Sequence, residues 1–223
     1  MKVRFSYPYI PTGIYAEIRN LSNLRIQTQE EITRIKNRIA RWFSIYFPEI
    51  KDVYRNPDAV SGLMVIKQAP LPCDIKGLGV DGVNKIWRDA RLKGAGIKRA
   101  KTLVTAAEHS IGNTEAPRSA RKEIRNLLND YEIYKSRMDD IMEEIEELLS
   151  EIPYIDKLMG ICGIGIKTVS CFIAEVGDIE RFDNPKQVQK LAGYAIVADS
   201  SGKHNGGKQD QPQGKKAIEI CIV

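Results

Sequence analysis

Ile124-Arg-Asn-Leu-Leu-Asn-Asp-Tyr-Glu-Ile-Tyr-Lys-Ser-Arg-Met-Asp-Asp-Ile-Met-Glu-Glu-Ile-Glu-Glu-Leu148 is the stretch whose reading decides the fold. Its apolar residues Ile124, Leu127, Tyr131, Tyr134, Met138, Ile141, Ile145 and Leu148 fall at alternating spacings of three and four. Side chains at those spacings share one face of an α-helix, so the run predicts a long amphipathic helix with a coiled-coil seam. Outward from it, Thr114 is the expected N-cap and Pro117 a first-turn proline, and Pro153 ends the element. The predicted segment spans 114–152, with continuous helix over 116–150. A stripe of this length needs a partner. Antiparallel pairing within the chain and dimerisation through the same face both satisfy that need.

The candidate partner inside the chain lies at residues 20–50, where Ile32, Ile35, Ile39, Trp42 and Tyr46 repeat at three and four before Pro48. Arg34, Lys36, Arg38 and Arg41 crowd the rest of that helix, either as a basic arm along phosphates or as a solvated face. Residues 1–19 form a lead-in, irregular around Pro8 and Pro11, with a short helix from Thr12. Residues 51–113 are broken by Pro57, Pro70 and Pro72 and by several glycines, with short helices predicted at 60–67, 81–92 and 97–111. The fold class is therefore mainly α: long coiled-coil helices joined to a small helical C-terminal domain.

Charge is mild in total and sharp in distribution. The 223 residues hold 34 Lys and Arg against 29 Asp and Glu, a net +5. Lys85, Arg88, Arg91, Lys93, Lys98, Arg99 and Lys101 face one acid, Asp89, in their stretch, whereas residues 138–151 are acidic with no Lys or Arg at all. Opposed blocks mark separate surfaces. The basic one suits nucleic acid, or is only solvated.

The C-terminal domain, 153–208, opens with Leu158-Met-Gly-Ile-Cys-Gly-Ile-Gly-Ile-Lys-Thr-Val-Ser-Cys-Phe-Ile-Ala-Glu-Val-Gly177. It reads as helix, glycine hairpin, helix. Gly163 and Gly165 flank Ile164 at a sharp turn, where positive φ comes without a Cβ clash. Lys167-Thr168 opens the second helix, whose apolar face carries Val169, Phe172, Ile173 and Val176. Unpaired amides at that helix start suit a phosphate oxygen. A helix-hairpin-helix module holds a DNA backbone this way, while an αα-hairpin uses the same glycines merely for close packing. Asp183-Asn184-Pro185 caps a short helix to Leu191, an extended piece runs from Tyr194 to Ala198, and Asp199 to Lys208 reads as a glycine-rich loop.

Cys73, Cys162, Cys171 and Cys221 form no C-x-x-C pair, and His109 and His204 lie far from them, so zinc spacing is absent. Buried, reduced thiols of a cytoplasmic protein are expected. No apolar stretch approaches the ~20 residues of a membrane span, and no signal-peptide core follows Met1.

The order Ile161-Cys-Gly-Ile-Gly-Ile-Lys-Thr168, Ala174-Glu-Val-Gly-Asp-Ile-Glu-Arg-Phe182, Pro185-Lys-Gln-Val-Gln-Lys-Leu-Ala-Gly193 and Ser200-Ser-Gly-Lys203 resembles the C-terminal domain of one transposase family. This is the bacterial and archaeal insertion-sequence family with a DEDD catalytic domain, the bridge-RNA-guided recombinases. The resemblance extends upstream through the long helix to Ser6-Tyr-Pro-Tyr-Ile-Pro11. It implies that Ser201, eight residues after Gly193, is the nucleophile toward a DNA phosphodiester. On the residue reading, Gly163, Gly165, Lys167 and Thr168 clamp the backbone, with Lys203, Arg88, Arg91, Lys98 and Arg99 as further DNA contacts; the resemblance implies basic surfaces that grip guide RNA and DNA. Coiled-coil oligomers and a guide RNA are implied partners. An N-terminal RNase H-like domain with four carboxylates holds Mg²⁺ in that family. Residues 1–223 contain no match to that domain, and the tail 209–223 departs from the family's basic helix. The chain is thus expected to be a fragment that keeps the serine half, with no cofactor of its own. The alternative is a non-catalytic, dimerising protein that binds nucleic acid.

Overall fold

A computed structural model of the chain describes residues 9–56 and 59–191, together with the backbone of two strands at 196–201 and 204–210. The fold is mainly α, as the periodicity predicts. In chain order come α1 (Ile14–Tyr46), α2 (Ile50–Val53), α3 (Val60–Gln68), α4 (Pro72–Asp89), α5 (Ile97–Glu108), α6 (Pro117–Ser150), α7 (Ile155–Met159) and α8 (Ile166–Val176). A 3₁₀ turn (Ile179–Arg181), α9 (Pro185–Leu191) and an antiparallel hairpin of β1 (Ile196–Ser201) with β2 (His204–Asp210) follow.

The chain divides into two compact units. One is contiguous, Thr28–Met138; the other is built from the chain up to Gln27 and from Asp139 onward. In the contiguous unit, Ile35, Ile39 and Trp42 of α1 share a core with Ile124 and Leu127 of α6, Ile75 and Trp87 of α4, and Leu103 of α5. Trp42 and Trp87 are fully buried, and each indole N–H is satisfied: Trp42 Nε1 donates to Ala120 O at 3.1 Å and Trp87 Nε1 to Ser61 O at 2.8 Å. Within this unit α1 and α6 run antiparallel, since Lys36 meets the Tyr131 ring at 5.8 Å while Trp42, further along α1, bonds Ala120, earlier on α6. The other unit packs Ile18 of α1 with Ile141, Ile145 and Leu149 of α6 and with Val169 and Ile173 of α8. Ser22 Oγ reaches Ser170 O at 3.5 Å, with both serines buried.

The heptad stripe is therefore covered from inside the chain at both ends, and Tyr131, Tyr134 and Met138 between them are half-buried. Several local expectations are corrected. No Gly or Pro lies between Ile14 and Tyr46, so α1 runs unbroken where a short helix and a second one from about residue 20 were expected. Helix α4 starts at Pro72, earlier than 81, because its glycines bend it rather than end it; the backbone kinks at Gly79 (φ 66°, ψ −179°). Helix α5 stops at Glu108, where the expected helix ran to 111. Thr114 does not cap α6. The first helical carbonyl is that of Ala116, which accepts from Ala120 N, while Asn113 Oδ1 closes the preceding turn on Glu115 N at 2.8 Å. The stretch expected as a loop, 199–208, is largely hairpin, with a bulge between Ala198 and Ser200.

Candidate nucleic-acid interface

The glycine hairpin between α7 and α8 turns by one residue in the left-handed region. Gly163 has φ +84°, and no neighbour lies within 4 Å of where its Cβ would stand. The conformation, not the space, calls for glycine. Ile164 N closes the turn on Ile161 O at 3.0 Å. Gly165 departs from expectation: its backbone is extended (φ −103°, ψ 174°), and it serves as the N-cap of α8. Its carbonyl takes the amides of both Thr168 and Val169 at 3.0 Å, so the Thr168 amide is already engaged. The amides of Gly165, Ile166 and Lys167 meet no protein acceptor among the described residues. Lys167 is exposed beside them. Val169, Ile173 and Val176 anchor α8 in its core, and Met159 and Ile161 stand 41% and 49% exposed on the outer side.

Past α8 the chain forms a clasp that the sequence reading quoted but gave no role. Gly177 has φ +70°, and a Cβ there would lie 2.5 Å from the Tyr9 ring. The Arg181 guanidinium sits between Tyr9 (3.7 Å) and Phe182 (4.3 Å) and donates to Val176 O at 3.0 and 3.2 Å. Asp178 Oδ1 accepts from Glu180 N at 2.9 Å. Gly177, Asp178, Arg181 and Phe182 thus fasten the lead-in segment at Tyr9. The one available signal was a glycine followed by an arginine among aromatics.

The other candidate surface belongs to the contiguous unit. Lys85, Arg88, Arg91, Lys93, Lys98, Arg99 and Lys101 are all exposed, and among the described residues none forms an ion pair. Residues 90–96 join the end of α4 to the start of α5, which brings these cations to one corner. Leu92 N bonds Trp87 O and Arg91 N bonds Arg88 O, each at 2.9 Å, a Schellman-like stop to α4. Arg91 occupies its left-handed position at φ 51°, where glycine is usual. Gly96 caps α5 in extended conformation with no side-chain bond, and Lys98 and Arg99 lie in the first turn, Arg99 over the Tyr54 ring at 5.8 Å. Cations there oppose the helix dipole, so local stability does not account for them.

The structure thus groups Gly163, Gly165, Lys167 and Thr168 in one unit and Arg88, Arg91, Lys98 and Arg99 in the other. Ser201 is the last residue of β1, and its Cα register partner is His204. Lys203 lies outside the described residues, as does Cys221. Cys73 and Cys162 are exposed and Cys171 is partly buried, which corrects the expectation of buried thiols. Cys162 sits in the hairpin turn on the side away from the core, where apolar neighbours in sequence do not mean burial. Among the described residues no three His, Cys, Asp or Glu side chains converge as a metal site would require. No helix there is long and apolar enough to cross a membrane.

The described residues are mainly helical and expose two features, a glycine hairpin with unengaged amides and a basic corner without ion pairs. Residues 155–219, from α7 through β2 and beyond, match the model of the transposase IS116/IS110/IS902 family. The match covers under a third of the chain and supports a transposase of an insertion sequence. No curated protein matches the chain.

Proposed function

We propose that the chain is the serine-bearing part of an insertion-sequence transposase, acting on DNA by phosphoryl transfer. The observation that carries this reading is the family match over 155–219, which contains both the glycine hairpin and Ser201. In this reading Ser201 Oγ gives up its proton and bonds to phosphorus as the phosphorus–oxygen bond to one deoxyribose breaks; the departing sugar oxygen takes up a proton as a free hydroxyl, and a phosphoserine link holds the other DNA end. The amides of Gly165, Ile166 and Lys167, with the Lys167 ammonium, hold a neighbouring phosphate. Gly163 shapes that turn, Thr168 follows it on α8, and Lys203 adds charge beside the serine. Arg88, Arg91, Lys98 and Arg99 hold DNA or a guide RNA through phosphates, independent of base sequence. Copies of the chain associate through the part of the α6 stripe that the chain itself leaves half-buried, at Tyr131, Tyr134 and Met138.

A serine hydroxyl is a poor nucleophile until a base or metal activates it. The DEDD carboxylates and their Mg²⁺ would supply that activation from a separate domain. The chain alone is therefore expected neither to cleave nor to join DNA. With a DEDD domain supplied by fusion or in trans, together with Mg²⁺, covalent protein–DNA adducts should form. Ser201→Ala should abolish them, and Ser200→Ala should be milder. Adducts that survive Ser201→Ala, or that the chain forms by itself, overturn the assignment.

A further inference from the structure

Residues 110–114 are strapped across the end of α1. Asn113 N bonds Ile45 O at 2.8 Å, and Glu49 accepts from Ser110 Oγ at 2.6 Å and from Ile111 N at 2.9 Å. Opposite them, the start of α4 is tied to α6: Arg121 gives Asp74 two hydrogen bonds, from Nε at 2.9 Å and Nη2 at 2.7 Å. Between strap and helix lies a cavity of about 250 Å³, with Tyr46, Leu71 and Pro117 among its apolar lining residues and Asn113, Thr114 and Arg121 among its polar ones.

We propose that this cavity receives one unpaired nucleobase from nucleic acid held on the Lys85–Lys101 corner; the proposal rests on the nucleic-acid reading of that corner. Its volume falls below the ~300 Å³ where drug-sized pockets begin, so it suits one flat fragment rather than a whole nucleotide. Its charge is balanced, because Asp74 answers the Arg121 guanidinium in two bonds; a neutral ligand suits it better than a phosphate. Tyr46 lines the cavity and packs on Trp42 with its ring tilted by 38° (centroids 5.0 Å apart), so the cavity wall carries a braced aromatic ring. Unstacked bases bind on such rings. The Thr114 hydroxyl makes no hydrogen bond among the described residues, and Asn113 commits its Oδ1 to Glu115 but leaves its amide donors unused. These groups can pair with a base edge. The cavity lies at the start of α4 and the cations at its end, at most ~27 Å of helix rise away, which a few extended nucleotides can span.

Cys73 lines the cavity and is exposed, so its alkylation reports occupancy; exposed Cys162, in the other unit and beside the hairpin amides, is the internal control for the nucleoside arms, which carry no phosphate. The full chain is treated with iodoacetamide, and both sites are followed by mass spectrometry. Adenosine or cytidine at twice its dissociation constant should slow Cys73 about threefold and leave Cys162 unchanged. Inorganic phosphate should leave the Cys73 rate unchanged. A single-stranded oligonucleotide should protect Cys73, and its fully abasic counterpart should not. Thr114→Val should weaken nucleoside protection with the Cys162 rate unaltered. Equal protection by phosphate, or none by nucleosides and oligonucleotides alike, overturns the proposal. The parent reading fails separately: if alanine at Arg88 and Arg91 leaves oligonucleotide affinity unchanged, the corner is not the backbone surface, whatever nucleosides do at Cys73.

Discussion

Gly112 shows how a single hydrogen atom in place of a side chain sets local geometry. A Cβ at that position would stand 2.1 Å from the Tyr46 carbonyl oxygen, a backbone atom with no rotamer to escape through. Gly112→Ala should destabilise the chain by about 3 kcal/mol, the upper end for forced overpacking, as read from urea unfolding. Gly77 is the control. It lies within α4 with nothing within 4 Å of its Cβ position, so Gly77→Ala should be neutral or gain up to about 1 kcal/mol. Asp74 makes a pH-dependent contribution. Its hydrogen bonds from Arg121, opposed by partial burial and helped by the Leu71 amide, hold the carboxyl below its usual range. A depressed pKa stabilises the fold above the ordinary carboxylate value of ~3.9 and loses that contribution as pH falls through the folded-state value. Asp74→Asn should therefore cost about 1 kcal/mol at pH 7, the pair being partly screened by solvent. Urea midpoints of the two proteins should converge as the medium is made strongly acidic; a gap that widens on acidification contradicts the account.

At the scale of the element, α6 shows what periodicity can reveal. The spacing from Ile124 to Leu148 marks the helix and its buried face because burial in a helix follows its 3.6-residue turn. Ile145 is fully buried, whereas Ile133, equally apolar, is 49% exposed and outside the stripe. Ile145→Ala should cost about 3 kcal/mol, and Ile133→Ala should stay within about 0.5 kcal/mol, in chemical denaturation. Glycine was the weaker guide. In α4 the glycines at 77 and 79 suggested that no helix began before 81, yet neighbouring residues sustain helical turns on both sides of one kink. In the α7–α8 turn two glycines looked equivalent, and only Gly163 uses the left-handed region. A residue type says which conformations are permitted; tertiary packing selects among them. After α9 the first strand was foreseen in part as the extended piece to Ala198, and the second escaped notice for a related reason. His204–Asp210 is polar and glycine-rich, with no alternation to betray a buried face.

For the whole molecule, the basic corner was legible as charge, since exposure is the default state of Lys and Arg. The Tyr9–Arg181 clasp and the cavity behind Gly112 were not, because each joins residues distant in sequence through contacts no spacing encodes. If the corner holds phosphates, alanine at Arg88, Arg91, Lys98 and Arg99 should weaken nucleic-acid binding and flatten its salt dependence. Each lost phosphate contact removes about 0.9 from the slope of log affinity against log salt on duplex DNA. A salt titration that superimposes on the parent protein's excludes that role.

The nesting of Thr28–Met138 between the two stretches that build the other unit also orders events during synthesis. A ribosome completes the nested part first, and chains fold as they emerge, N-terminal material leading. Ile18 must then wait, its apolar face uncovered, until Ile141, Ile145 and Ile173 have been translated. Nascent chains stalled when Met138 has just cleared the ribosome should resist protease in the Trp42–Trp87 region while the residues around Ile18 are still cut. The early turns of α1 are thus the place where a trigger-type chaperone would be needed.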